Sequence, residues 1–355
     1  MRMSESKQMS HTWNEILSQG EVWKSVLDEL GQNAAVKRIL ENCGKGRRWI
    51  FVGCGTSYYL AEAAAISWTM LTGQSARALP SSEVLLFPEL IRAEGESIQA
   101  VAISRSGRTS ETLRAAGMLR GELRVPTMGI TCEADSELEA ICESTIALRA
   151  CDEKSTVMTR SFTSMLLSLQ YLAARQGEKP QFIEELQKMA ERCAPRIAAL
   201  AEAMEAFVAK HTFSDFVFLG QGAFHGIARE AALKVMEMSC SYSQFFHTLE
   251  FRHGPKAIVS PATCLMFFLS ESGQEAETEV LTEMKELGGT TISICNRASQ
   301  AVTAASDLMF EVNGKELALL APYVVPGQLL GFFTGIKKGL NPDQPKNLTR
   351  VVVLD

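Results

Sequence analysis

The sequence has no C-x-x-C pair, no excess of basic residues, no unbroken apolar run of membrane length and no third glycine where a dinucleotide fingerprint needs one. Each absence removes a class of function. The nine cysteines are scattered, several of them inside apolar runs such as TCLMFF, so they are expected to be reduced core thiols of a cytoplasmic protein. Acidic residues (41) outnumber Lys and Arg (35), which argues against a nucleic-acid partner, because duplex binding rests on basic side chains meeting phosphate. Residues 1–17, MRMSESKQMSHTWNEIL, lack the apolar centre of a secretory leader, so none is expected. The most hydrophobic stretch, 317–333, is interrupted by Pro322, Pro326 and Gly327 and falls short of the roughly 20 residues of a membrane helix, which predicts a buried helix or helix pair and no membrane. In V-G-C-G-T-S-Y at 52–58, Tyr58 stands where a dinucleotide site has glycine, and no Gly-Lys-Ser/Thr of a P-loop follows. His247 and His253 are six apart and match no zinc spacing, so no metal site is expected, and His11, His211 and His225 stand in no chemical company.

What is present is a repeat. WIFVGCGTSYYLAEAAA at 49–65 matches FVFLGQGAFHGIAREAA at 216–232, which makes Gly220 the counterpart of Gly53. ISRSGRTSET at 103–112 matches LSESGQEAET at 269–278, and MGITCEADSELEAI matches ISICNRASQAVTAA, so that Ser270 answers Ser104 and Cys295 answers Cys132. The three matches keep their order at a nearly constant offset, which chance rarely produces. Each copy reads as apolar strand, turn, helix, with strands of the kind buried on both faces of a parallel sheet. The 355-residue chain, 46% hydrophobic and of net charge −6, is long enough for two such domains. The expected division is an N-terminal helical segment at 1–34, a first domain at 35–175, a helical connector at 176–212 and a second domain at 213–355. Apolar residues at helical spacing (Ile183, Leu186, Met189, Cys193, Ile197, Leu200, Met204) fill the connector, which is expected to break near Pro195.

In parallel sheets ligands gather where strands end and helices begin, because helix starts present unpaired N–H groups. Ser104, Ser106 and Thr109 place three hydroxyls at one such turn, Gly107 allows close backbone approach, and Arg105 or Arg108 could add charge-assisted hydrogen bonds. The plainer reading is a helix cap, with a Ser or Thr capping and Glu111 in the first turn. In the second copy Glu275 replaces Thr109 and Phe224 replaces Ser57, so the first copy is expected to hold phosphate and the second to have another task.

Two further features carry chemistry. Glu230, Lys234 and Glu237 recur on one helix face opposite Ile227, Ala231, Val235 and Met238. They read either as a solvated salt-bridge ladder or as a carboxylate base beside an ammonium. His253, in EFRHGPKAIV, sits in a turn before a strand-like AIV and reads as a structural residue unless other groups give it a role.

CGTSYY, SRSGRTSET, MTRSFT at 158–163, ALKVMEMS at 232–239, EFRHGPKAIV and NPDQPKNLTRVVVLD together resemble the double-SIS (sugar isomerase) family over nearly the whole chain from about residue 35. The resemblance implies an α/β fold of two tandem doubly wound, flavodoxin-like parallel-sheet domains joined by helices. It is closest to the isomerase half of glucosamine-6-phosphate synthase and to the galactosamine-6-phosphate deaminase/isomerase group, often labelled tagatose-6-phosphate ketose/aldose isomerase. It implies that Ser104, Ser106 and Thr109, with Arg105 beside them, bind the sugar phosphate, and that Ser57 and Thr156 contact the substrate. By the same resemblance Glu237 moves the proton between C1 and C2, Lys234 is the nearby ammonium, and His253 opens the sugar ring of a neighbouring protomer's substrate. A homodimer with shared active sites follows from it, as does closure of the tail at Thr349 and Arg350; no metal or organic cofactor has a part.

The chain departs from the synthase in having no glutaminase domain and no Cys after the initiator Met, and in Arg105, Met158 and Arg350 where the synthase has Gln, Ser and Lys. The expected activity is therefore isomerisation of an amino-sugar 6-phosphate with deamination to a ketose 6-phosphate and ammonia. The alternatives are a fructosamine-type 6-phosphate deglycase and a non-catalytic sugar-phosphate regulator. A regulator needs no base and usually carries a helix-turn-helix domain, for which the residues before the first strand are too few.

Overall fold

The computed structural model describes residues 10–42, 46–93 and 97–354; the leader reading at residues 1–9, the start of the N-terminal segment and Cys43 lie outside the described residues. The chain folds into two compact units, each assembled from separated stretches. The first comprises Glu21–Glu153, Arg160–Ala190 and the tail from Thr349; the second comprises the chain up to Gly20, Lys154–Thr159 and Glu191–Leu348.

The first unit is built on a five-stranded sheet of β1 (Arg48–Gly53), β2 (Ala76–Pro80), β3 (Ile98–Ile103), β4 (Thr127–Thr131) and β5 (Ser144–Ala147). All its pairings are parallel, in the order β2-β1-β3-β4-β5. The second unit repeats this with β6 (Asp215–Gly220), β7 (Tyr242–Phe246), β8 (Thr263–Phe268), β9 (Thr290–Cys295) and β10 (Leu308–Glu311). Its order, β10-β9-β8-β6-β7, is the same topology read from the other edge. The two central strands, IQAVAI and TCLMFF, are buried at every position, as parallel strands covered on both faces must be. The expected doubly wound α/β architecture is the observed one.

The paired glycines after β1 and β6 have a conformational reason that needs no dinucleotide. A Cβ on Gly53 would lie 2.7 Å from the backbone carbon of Ser57, and one on Gly220 would lie 2.4 Å from the Phe224 carbonyl oxygen. The second glycines, Gly55 and Gly222, take φ of +53° and +54°, which side chains disfavour. Each pair turns the chain sharply from strand into helix: α1 (Thr56–Thr72) in the first unit and α6 (Ala223–Ser239) in the second. Helix α2 (Ser110–Gly121) follows β3, and α3 (Arg160–Gln176) is buried along most of its length. The expected helical stretch breaks where proline demands, into α4 (Pro180–Cys193), a 3-10 turn at Ala194–Arg196 holding Pro195, and α5 (Ile197–Lys210). Helix α7 (Gln274–Glu286) follows β8, and α8 (Leu320–Lys337) ends the helical part of the second unit.

Two expectations are corrected here. The apolar segment 317–333 does not fall short of a membrane span: with the preceding turn it is a 22-residue helical stretch, Glu316–Lys337, long and apolar enough by composition. Its most apolar 18 residues are 94% buried within the fold, and Pro326 sits inside the helix, so burial, not length, makes it a core element. The strand expected at AIV after His253 does not form. Residues Pro255–Ile258 make a 3-10 turn that follows Gly254 at φ +124°, a conformation suited to glycine, and β8 starts only at Thr263.

Candidate active site

The turn after β3 is fixed to its neighbours through its backbone. The Arg105 carbonyl accepts from the Cys132 N–H at 2.8 Å and the Thr131 hydroxyl at 3.0 Å, and the Gly107 carbonyl accepts from the Leu138 N–H at 3.0 Å. Gly107 has φ +61°, and a Cβ there would lie 2.3 Å from Ser136 Oγ, so only glycine fits. Thr109 occupies the N-cap position of α2, yet its side chain makes no cap; Ser104 Oγ and Thr109 Oγ1 lie 3.1 Å apart in a mutual hydrogen bond. Glu111 turns toward Cys54, 4.0 Å from its sulfur. The capping alternative therefore loses its two side chains. What remains is a set of hydroxyls at a helix start, with Ser104 and Ser106 buried and Thr109 half-buried, and Ser106 Oγ accepts from the Arg108 N–H at 3.2 Å. Ser57 is buried in the first turn of α1.

The charged residues of this unit meet one another. Arg105, 5% exposed, ion-pairs with Glu153 at 3.6 Å and donates to the Arg350 carbonyl at 2.9 Å; Glu153 also accepts from the Ser161 hydroxyl. Arg350 pairs with Asp152 at 2.6 Å and Glu133 at 3.6 Å, and Arg108 reaches Glu133 at 3.5 Å. The tail then runs along the start of α2. The Ser110 N–H donates to the Val352 carbonyl at 3.2 Å, the Leu354 N–H to Ser110 Oγ at 3.0 Å, and the Thr349 hydroxyl to the Val351 carbonyl at 2.9 Å.

In the second unit α6 carries Glu230, Lys234 and Glu237 inward, so the stripe is not a solvated ladder. Lys234 Nζ lies 3.3 Å from Glu230 and 2.5 Å from Glu237, and Lys234 and Glu230 are fully buried while Glu237 retains 17% exposure. Burial alone would lower the Lys234 pKa, but the two flanking carboxylates outweigh it and hold it above the ordinary value, so the side chain stays an ammonium. Helix α8 makes this burial possible through glycines. A Cβ on Gly331 would lie 2.7 Å from the Lys234 carbonyl oxygen, and one on Gly335 would lie 2.2 Å from that of Met238. Glu237 opens onto a cavity of about 220 Å³ bordered by Cys240, Leu340, Asn341, Gln344 and Lys346.

Thr156 lies in this second unit, where its N–H donates to the Asp343 carbonyl at 3.3 Å. His253 is exposed at the end of the 3-10 turn Glu250–Arg252. Its loop is pinned on both sides, since Arg252 and Lys256 bond Glu283 of α7 at 2.8 and 2.6 Å. Those hydrogen bonds hold the Glu283 carboxyl below its usual pKa.

The second copy of the hydroxyl turn is filled by the chain itself, though not by the residue expected. Glu275 is exposed. It is Glu316 that accepts from the Glu271 N–H at 2.6 Å, the Ser272 N–H at 3.4 Å and the Ser272 hydroxyl at 3.2 Å, while Glu277 takes the Ser270 N–H at 2.7 Å. Burial, with Glu316 nearby and against the Ser270 hydrogen bond, raises Glu277 to about 7. His225, without company in the sequence, stacks on His247 at 3.8 Å with 14° between the rings. Burial, then His247 and Arg229, lower it to about 4. Among the described residues no cluster of three or more His, Cys, Asp or Glu could hold a metal ion.

Glu133, Asp152, Glu153 and Glu316 went unnoticed in the sequence. Glu153 and Glu316 had one available signal, the repeat itself, since they stand at the same offset as Cys132 and Cys295.

Fold and site together define a class: tandem doubly wound α/β proteins with a hydroxyl-bearing turn in one copy and a buried carboxylate–ammonium cluster in the other. The chain belongs to the SIS domain family, which matches it at residues 44–175 and 214–328. It is similar to glutamine–fructose-6-phosphate aminotransferase (isomerizing) of Methanothermobacter thermautotrophicus, 25% identical over 93% of this chain and 56% of that protein. The same enzyme of Aeropyrum pernix is 28% identical over 96% and 57%. The chain thus spans a little over half the length of these relatives. Among solved structures, glucosamine-6-phosphate deaminase of Thermotoga maritima aligns with a TM-score of 0.78 and 29% identity, covering 97% of this chain and all of that one. Tagatose-6-phosphate ketose/aldose isomerase of Escherichia coli, at a TM-score of 0.85 and 23% identity over 98% and 97%, shares the fold.

Proposed function

We propose that the protein is a phosphosugar aldose–ketose isomerase acting on an amino-sugar 6-phosphate, with loss of ammonia to give a ketose 6-phosphate. The observation that carries this reading is the buried Glu230–Lys234–Glu237 cluster, in which only Glu237 opens to a cavity. A binding module has no use for a desolvated ammonium locked against a carboxylate, whereas proton transfer beside a carbonyl uses both. Ser104, Ser106 and Thr109 anchor the 6-phosphate, with Ser57, Thr156, Thr349 and Arg350 as further substrate contacts. His253 opens the ring. Glu237 removes the C2 proton and returns it at C1, and the Lys234 ammonium, buried behind Glu237, offsets the developing enolate charge through its field. The product is a C2 ketimine, which takes up water and releases ammonia.

The 29% identity to a chain named as a glucosamine-6-phosphate deaminase, aligned over its full length, supports the deaminating direction. His253, exposed on a loop fixed by Glu283, supports service to a second copy of the chain, hence a homodimer. The cavity beside Glu237 gives the deglycase alternative its own observation, since Asn341, Gln344 and Lys346 could receive the carboxylate of an amino acid bound to the sugar. The substrate is met in the cytoplasm.

A panel assay tests both. Glucosamine-, galactosamine- and fructoselysine-6-phosphate are supplied in turn, and ammonia, free amino acid and ketose 6-phosphate are followed. Ammonia from an amino sugar is the expected result; free lysine in its place favours the deglycase, and silence on every substrate sinks the catalytic reading.

A further inference from the structure

We propose that Asp343 is a positioning residue, which fixes the segment walling the Glu237 cavity by fastening it to the start of the N-terminal helix, His11–Leu17. This role rests on the reading that the cavity receives the reacting part of the sugar. One wall of the cavity is the last turn of α6, with Glu237 and Met238; the facing wall is the segment 339–346, with Leu340, Asn341 and Gln344. That segment forms neither helix nor strand, so no regular ladder of backbone hydrogen bonds holds it in place. Its shape depends on its anchors.

Just before the segment, Lys338 at the end of α8 donates to the Ser239 carbonyl at 3.2 Å and the Ser241 hydroxyl at 2.6 Å, at the close of α6. Further along, the Asp343 carboxylate accepts from three donors at the N-terminal helix: the Ser10 hydroxyl at 2.8 Å, the His11 N–H at 2.9 Å and the Thr12 N–H at 2.8 Å. The first N–H groups of a helix have no partner within it, and a carboxylate makes the stronger, charge-assisted bonds to them. Burial works to raise the Asp343 pKa, but the hydrogen bonds from Thr12, Ser10 and His11 outweigh it and hold the carboxyl below its ordinary range. The backbone of Asp343 adds two ties. Its N–H donates to Asn341 Oδ1 at 3.1 Å, which shapes a cavity residue directly, and its carbonyl accepts from the Thr156 N–H at 3.3 Å.

The helix that Asp343 grips is itself fixed within the same unit. The Trp13 ring stacks on Phe332 of α8 at 5.4 Å and meets Phe333 edge-on at 5.7 Å. Glu15, 4% exposed, accepts from the Lys154 N–H at 2.6 Å, the Ser155 N–H at 3.3 Å and the Ser155 hydroxyl. Gln19 donates to the Gln328 side chain of α8 at 2.8 Å, both buried. The N-terminal helix is thus a rigid post, and Asp343 passes its position on to the irregular segment. Between the Lys338 and Asp343 anchors, Asn341 is held facing the base, Glu237. Such support matters to rate, since a misplacement of about 1 Å by a residue remote from the chemistry can cost about 10²-fold.

The test compares Asp343→Ala and Asp343→Asn with wild type in the full chain, first by hydrogen exchange with no ligand present. In Asp343→Ala, exchange at residues 339–346 should speed up at least about tenfold while β6, β8 and β9 keep their wild-type rates, the pattern of local release. Asp343→Asn, which keeps one acceptor oxygen, should fall between the two. Unchanged exchange at 339–346, or an equal rise in the strands, overturns the proposal. Should Asp343→Ala not fold, Asp343→Asn is held to the same two outcomes. With glucosamine-6-phosphate as substrate, kcat per folded molecule should fall about ten- to hundredfold in Asp343→Ala and recover most of the loss in Asp343→Asn. KM should stay within about threefold, because the hydroxyl turn that anchors the 6-phosphate is untouched. A wild-type kcat in a variant whose segment 339–346 has loosened overturns the proposal as well. Failure of the wild type to turn over any sugar phosphate would instead refute the proposed reaction, a distinct result, and the exchange pattern would still decide whether Asp343 holds the segment.

Discussion

In the proposed reaction Glu237 is the residue on which the chemistry turns. Its carboxylate is held by an ammonium 2.5 Å away that is itself fully buried and kept charged by Glu230. Glu237→Gln removes the proton acceptor while keeping size and hydrogen-bonding capacity. Turnover should fall by roughly 10²–10⁴, the usual contribution of general acid–base catalysis, while phosphosugar affinity stays within a few-fold of wild type. Steady-state rates with a parallel titration check this; surviving activity would reduce the cluster to a structural ion network. The residue types and their i, i+4, i+7 spacing were legible in the sequence, but whether the stripe faced water or core was not. Spacing fixes which side chains share a face, and only packing decides what that face meets.

Helices α6 and α8 pack along Gly327, Gly331 and Gly335, whose missing side chains admit the backbone of α6. Gly331→Ala places a methyl 2.7 Å from the Lys234 carbonyl oxygen, a rigid neighbour. Overpacking of this kind should lower stability by roughly 1–3 kcal/mol. Because the strain falls on the turn of helix that presents Lys234 and Glu237, kcat should fall as well. Urea unfolding and kinetics on one preparation separate the two, and a variant as stable and as active as wild type would show that the close packing is dispensable. One of these glycines, Gly327, was read in the sequence, with Pro322 and Pro326, as interrupting an apolar run. These three residues prove compatible with one continuous helix, α8, buried within the fold.

At the scale of the whole molecule, the proposal that His253 serves a partner's substrate has a direct consequence. Glu237→Gln and His253→Ala proteins, each inactive alone, should regain part of the wild-type activity when mixed under conditions that exchange protomers. At random pairing about a quarter of the sites would be intact, since each half-site is wild type in half the chains. No recovery, with exchange verified by mass spectrometry of tagged chains, would place His253 and Glu237 in the service of one protomer. The duplication itself was legible, because three strand–turn–helix stretches of one copy have counterparts in the same order, at a nearly constant offset, in the other. The way the copies draw on distant chain was not. The tail from Thr349 joins the unit of the hydroxyl turn, and Lys154–Thr159 joins the unit of Glu237.

The sequence by itself determined the local and the periodic: two parallel α/β sheets of one topology, the break at Pro195, the hydroxyls at one helix start and the charges along one helix face. These follow from steric and hydrophobic rules that act over a few residues and repeat along the chain. Only the tertiary structure decided which carboxylate meets which cation. Arg105 and Glu153 are remote from each other along the chain, as are Glu271 and Glu316. Charge attraction has no period in sequence, and its outcome at a buried site depends on which partners the fold brings within hydrogen-bonding distance before water is excluded.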